Sequence, residues 1–353
     1  MSRTTTLAKS AKSSKSSTNP LQVIFSLFKG KNPSHSSTQT TAHDDHHTQV
    51  TQAWSDLKSN YSRLHIALDE LQAQEGDVIE FSHLAKALDL PDNLVQSYFD
   101  TVCFTCIDER AQKNVHNALS VGVPGNFCLE KNDCPIFAKK IIVDCQAAKV
   151  KKIKLMPHAK CGAATLAVKS EFEALGWDTS SIPDILIDKK AIDYAERMAN
   201  TITETAQRMN YELEVEVEFI GVQEIEPRSF HNAIGSMVNV SDSQSLDLAK
   251  PHLDPKLFNE NIDPMFNISG FGNDETIVDR IKLSIDIAFG GHGLGEEIFS
   301  AQNPYLILMV ADSKEAITRA KNDIIPLLRS KAEQRYADKV VETYILDISD
   351  FKI

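Results

Sequence analysis

Two short stretches hold the side chains best suited to bind a metal. In Cys106-Ile-Asp-Glu-Arg110 a thiol is followed at two-residue steps by a carboxylate and a guanidinium. Extended chain alternates its faces, so Cys106, Asp108 and Arg110 point to one side. In His158-Ala-Lys-Cys161-Gly162 an imidazole and a second thiol stand three residues apart, and from a strand-to-helix turn both reach one ion. Cys161 would open the following helix, where the positive end of the helix dipole favours thiolate. Taken singly, each stretch has an ordinary explanation: a buried cysteine beside a surface ion pair, or a hydrogen-bonded loop histidine. Taken together they supply Cys106, His158 and Cys161. Three protein ligands are the number found in catalytic zinc sites, which keep a fourth position open, whereas structural sites are usually closed by four. One Zn2+ per chain is therefore expected. Cys103 sits three residues before Cys106 and faces the other side of a strand, while Cys128, Cys134 and Cys145 read as small core or surface residues.

These ligands need strands that end at one edge. Val102 to Ile107 reads as a short buried strand and Lys152 to Met156 as another. Helices are expected over residues 111–119, from about Pro135 to Lys149, from Gly162 to Leu175 and over 189–210, with strands at Leu119 to Val123 and Leu213 to Ile220. Strands alternating with helices predict a largely parallel sheet, and such sheets bind ligands beyond the carboxyl ends of their strands. Apolar residues from Trp54 to Leu71 recur at helical steps, a second helix covers Phe81 to Leu88, and another begins near Leu94 after the break at Pro91. Beyond a polar loop at about 240–275 come a strand at Tyr305 to Val310, a helix from Lys314 to Arg335 and a strand near Thr343 to Ile348. The expected fold class is thus α/β. A disordered basic tail occupies 1–50, a helical arm 51–94, the zinc-binding catalytic domain 95–240 and an α/β C-terminal extension 241–353.

Composition narrows the function. The 353-residue chain carries a formal charge of −12. Residues 1–43 hold six basic residues and no acid, which leaves −18 on the remainder. An acidic body lacks the basic face that nucleic-acid binding requires. No run approaches the roughly 20 apolar residues of a membrane-spanning helix. There is no secretory signal, so a reducing compartment with free or metal-bound thiols is expected. The basic, Ser-rich tail fits a cytoplasmic arm, an import signal or a segment that docks to an assembly.

The pattern C-x-D-x-R, followed about fifty residues later by H-x-x-C-G, resembles the β-class carbonic anhydrases. Val121-Gly-Val-Pro-Gly-Asn126, the stretch Ala138 to Cys161 and the strand Leu213 to Val222 are similar to the elements that surround these motifs in the family. The resemblance covers roughly residues 95–225. It implies a β-carbonic-anhydrase-like, mostly parallel sheet flanked by helices and a homo-oligomer of two or more chains. It also implies reversible hydration of CO2 to bicarbonate by hydroxide formed on the zinc. Asp108 would orient that hydroxide and Arg110 would hold Asp108 off the metal. The basic tail, helical lead-in and C-terminal extension resemble the carboxysomal shell subclass, which adds carboxysome or organelle to the expected cytoplasm. The sequence departs from the family at Glu109, usually a small residue, and at Gly162, followed by alanine where many members have a second glycine. Two alternatives follow: a catalytically silent scaffold of the same fold, and a zinc hydrolase of CS2 or COS. Gly290-Gly-His-Gly-Leu-Gly295 lacks the spacing of a phosphate loop. His231 and His252 are candidate proton shuttles.

Overall fold

The computed structural model describes residues 63–91, 94–96, 99–115, 118–123, 134–225, 231–240, 248, 252–290 and 293–351. The basic tail, the first half of the Trp54–Leu71 helix, the Pro124-Gly-Asn126 turn and Cys128 lie outside them. The chain enters with α1 (Arg63–Glu70), β1 (Val78–Glu80), α2 (Phe81–Leu88) and β2 (Val95–Gln96). A first sheet region follows: β3 (Thr101–Thr105), α3 (Glu109–Gln112), β4 (Leu119–Gly122), α4 (Cys134–Ala148), β5 (Lys152–Met156), α5 (Gly162–Ala174), α6 (Asp184–Arg208) and β6 (Glu214–Val217). The second comprises β7 (Gly235–Asn239), β8 (His252–Leu253), α7 (Pro255–Asn261), β9 (Met265–Ile268), α8 (Asp274–Phe289) and β10 (Tyr305–Ala311). It closes with α9 (Lys314–Arg319), a π-turn (Ala320–Ile324), α10 (Ile325–Lys331), α11 (Glu333–Ala337) and β11 (Val341–Asp347).

The fold is α/β with two parallel sheets. The first has the order β4-β3-β5-β6 and the second β1-β11-β10-β7-β9, with every pairing in both parallel. Among the described residues, β2 and β8 pair antiparallel as a separate ribbon. Leave out β1, and the second sheet repeats the first: its opening strand, β7, lies second from one edge, beside β9, and β10 and β11 follow on the other side. Long helices make the same crossovers, α4 between β4 and β5 and α8 between β9 and β10. No repeat was visible in the motifs, because the second half has no cysteine. The sheets meet where β9 approaches β4: Asn267 N–H donates to the Ile107 carbonyl and Ser269 N–H to that of Gly122, at 3.1 and 2.9 Å.

Parallel strands covered on both faces read as continuous apolar runs. β10, Tyr-Leu-Ile-Leu-Met-Val-Ala, is buried at every position. Helix α6 buries Ile187, Ala191, Tyr194, Ala195, Met198 and Ile202, a stripe of three- and four-residue steps. The helices between β5 and β6 and the strands β3 to β5 fall where the sequence places them.

Several elements differ from the sequence expectations. The polar region 240–275 contains β8, α7 and β9. β7 ends at Asn239 and pairs with β10, so the division drawn at residue 240 runs between a strand of the second sheet and its neighbours. Val95 and Gln96 form a strand where a helix was expected near Leu94. Among the described residues of the helix expected over 111–119, only Ala111 and Gln112 are helical, as the end of α3, and β4 begins at Leu119. The long C-terminal helix is broken into four pieces, with the π-turn directly before Pro326, whose missing N–H interrupts the regular ladder. The arm also supplies more than helices: β1 pairs with β11, while Leu64, Leu68, Phe81 and Leu84 join Met265, Leu306 and Leu308 in one core on the second sheet.

Candidate metal centre

β3 and β5 are paired neighbours, with Thr105 opposite Met156. Their carboxyl ends therefore release Cys106 and His158 side by side. Beyond β5 the chain is held by Ile220 N–H donating to the Pro157 carbonyl and Ala159 N–H to the Ile220 carbonyl, at 2.8 and 2.9 Å. Lys160 then takes a left-handed conformation, φ 55°, and its N–H is fixed by Asp188 Oδ1 at 2.9 Å. That turn delivers Cys161 to the N-cap of α5. Cys106, His158 and Cys161 are all buried, and their ligand atoms lie within 4.8 Å of one another; the group could hold a metal ion. The two sulfurs are 3.8 Å apart.

The donor set fits zinc. His158 Nδ1 lies 2.9 Å from the Ala159 carbonyl, which fixes the proton on Nδ1 and leaves Nε2 with a lone pair. Nε2 is buried and has no hydrogen-bond partner among the described residues, an arrangement that costs free energy unless something occupies the lone pair. Among protein groups alone the cluster holds protons. The hydrogen bond with Cys161, aided by burial, pushes the Cys106 thiol well above its usual range. Burial alone would lower His158, but Cys106 and Asp108 outweigh it and raise the imidazole to about 9. A dication held by Cys106, His158 and Cys161 would displace those protons, because such ligands bind as thiolates and neutral imidazole.

Asp108 and Arg110 are brought to the same place. Asp108 caps α3, its Oδ1 accepting from Arg110 N–H at 2.9 Å. The guanidinium closes a fork on the same carboxylate, Nε to Oδ1 at 2.9 Å and Nη2 to Oδ2 at 2.6 Å. Oδ2 also lies 3.7 Å from His158 Nε2, so it faces the cluster without belonging to it. Asp108 is buried to 1% exposure. Burial alone would push its pKa up, yet His231, Arg110 and His158 together hold the carboxyl well below the usual range. It is ionised at any physiological pH.

His231 is the residue whose place sequence reasoning could not fix. It precedes β7, in the second half, and its Nδ1 lies 3.5 Å from Asp108 Oδ1. Its ring packs on Phe266 of β9, centroids 5.2 Å apart. No spacing rule joins His231 to the motifs. The other candidate, His252, sits in β8, with its ring edge on Phe99 and Nδ1 3.3 Å from Asn239 Nδ2. Beside the cluster opens a cavity of about 400 Å3. Its walls are Leu166, Ile187, Leu283 and Ile287, with Arg110 and His231 on the polar side. Gly290 of the glycine-rich stretch reaches its rim, while Gly291 and His292 lie outside the described residues.

Set against protein-family models, curated proteins and solved structures, the chain matches none. Among the described residues no helix is long and apolar enough to cross a membrane.

Proposed function

We propose that the chain is a zinc-dependent carbonic anhydrase, interconverting CO2 and water with bicarbonate and a proton. The observation that carries this reading is the Asp108–Arg110 fork beside a three-ligand Cys-His-Cys set. Cys106, His158 and Cys161 would hold the metal, which as a Lewis acid makes water a nucleophile near neutral pH. Asp108, kept ionised, accepts a hydrogen bond from the attacking oxygen and turns its lone pair toward the carbon of CO2. Both Asp108 oxygens are already bound by Arg110, and the rigid donor fork keeps the carboxylate from moving onto the ligand set. The apolar walls Leu166, Ile187 and Leu283 suit an uncharged gas. Arg110 and Lys160, on the same cavity, suit the anion that leaves.

The purified protein is expected to carry about one zinc per chain and to hydrate CO2 above the uncatalysed rate in stopped flow. Asp108→Ala keeps the zinc and loses at least about a hundredfold in rate. A zinc-loaded wild type that never exceeds the uncatalysed rate would sink the reading and leave a metal-binding scaffold or an enzyme of another small heterocumulene.

A further inference from the structure

We infer that His231, contributed by the second half of the chain, is a positioning residue of the first half's active site. The inference rests on the role given above to Asp108. The two oxygens of that carboxylate have different surroundings. Oδ2 takes Arg110 Nη2 at 2.6 Å and faces His158 Nε2 at 3.7 Å. Oδ1 takes the Arg110 backbone N–H and Nε, both at 2.9 Å, and His231 Nδ1 approaches it at 3.5 Å. These bonds from Arg110 come from the same loop as Asp108, only two residues away. They set the carboxylate relative to its own loop. His231 is the group that refers it to a separate body, since its ring leans on Phe266 of β9 and its backbone runs directly into β7.

His231 is itself 6% exposed and lines the cavity beside the cluster. A buried imidazole whose Nδ1 lies 3.5 Å from the carboxylate oxygen steadies, from the second sheet, the orientation that the Arg110 fork sets. With Oδ1 held, Oδ2 is the oxygen turned to the metal ligands. Among the described residues the second half thus supplies no metal ligand yet completes the constellation, and the site spans both sheets.

The test uses the full chain, with zinc and with Co2+ in its place, in His231→Ala and His231→Asn. Asparagine retains a donor where Nδ1 stands; alanine does not. Partners of this kind are worth about ten- to a hundredfold in activity. His231→Ala is expected to lose about tenfold or more in kcat with KM little changed and metal content intact. It should also shift the visible bands of the Co2+ protein, because Asp108 changes its relation to the metal. His231→Asn should restore both the rate and the bands. Wild-type rate and bands in His231→Ala, or equal losses in the two variants, overturn the inference. If the wild type hydrates no CO2 but the Co2+ bands move in His231→Ala and return in His231→Asn, the positioning role stands and the carbonic anhydrase reading falls.

Discussion

Cys106 lies at the carboxyl end of β3, 4% exposed, with a sulfur 3.8 Å from that of Cys161. Beside the second sulfur and deeply buried, the Cys106 thiol is hard to ionise without a cation, and its proton is tightly held. A metal site is then a stability device as well as a catalyst, since its binding free energy adds to folding. Cys106→Ser is expected to abolish stoichiometric zinc, and chelation of the wild type to lower Tm by several degrees, reversibly on zinc addition. Retention of full zinc by Cys106→Ser, measured by atomic absorption, would remove Cys106 from the ligand set. These residues were legible because their geometry is local: Cys106 directly follows β3, Asp108 caps α3 with Arg110 in its first turn rather than continuing the strand as expected, and one turn fixes His158 and Cys161. His231 was not legible as a partner. Its contact with Asp108 spans more than a hundred positions of sequence and depends on how two sheets meet.

At the scale of elements the joint between the sheets is the most demanding feature. A Cβ on Gly122, the last residue of β4, would fall 1.8 Å from the Asn267 carbonyl oxygen and 2.6 Å from its carbon, both backbone atoms of β9. Neither can give way without parting the sheets. Gly122→Ala is therefore expected to cost about 3 kcal/mol or more, read as a lower urea midpoint. Gly162→Ala serves as the control, because nothing lies within 4 Å of its Cβ. Equal midpoints for the two variants would contradict the close approach. The elements missed in the sequence have identifiable causes. β7 carries Ser236 inside the core, where it meets Ser284 at 2.7 Å and Tyr305 at 2.6 Å. A hydroxyl satisfied in this way breaks the apolar run by which a buried strand is known. Helix α8 is hard to recognise in the sequence because Ile281, Leu283, Ile285, Ile287 and Phe289 alternate like a strand. Its buried face is instead Ile277, Val278, Ile281, Ile285 and Ala288, and Asn273 caps its first turn through Thr276 N–H.

The molecule as a whole is held together partly by one ionisable contact. Asp263, between α7 and β9, accepts from Leu64 N–H at the start of α1 through Oδ2 at 3.3 Å. Its Oδ1 is buried without a hydrogen bond. Burial pushes its carboxyl up to about 7, with Leu64 N–H and Arg63 opposing. A carboxyl raised in the folded state favours the protonated fold: its contribution is complete below about pH 4, the unfolded value, and is lost as pH rises through about 7. Wild-type stability should fall across that window by on the order of 3 kcal/mol from this group. Asp263→Asn should flatten that decline, so its advantage over wild type in urea melts grows from pH 4 to pH 8. Parallel pH curves for the two proteins would refute the assignment. The same arm carries β1, and Val78 of β1 lies in register with Ile345 of β11. A ribosome makes Val78 long before Ile345. The arm's strand therefore waits, edge unpaired, until almost the whole described chain has been synthesised, and the long loop closure falls late in folding. His231 likewise reaches Asp108 only when β7 and β9 are in place. A half-made chain already contains all three metal ligands but not its complete catalytic surroundings, so in biosynthesis the metal can arrive before the activity does.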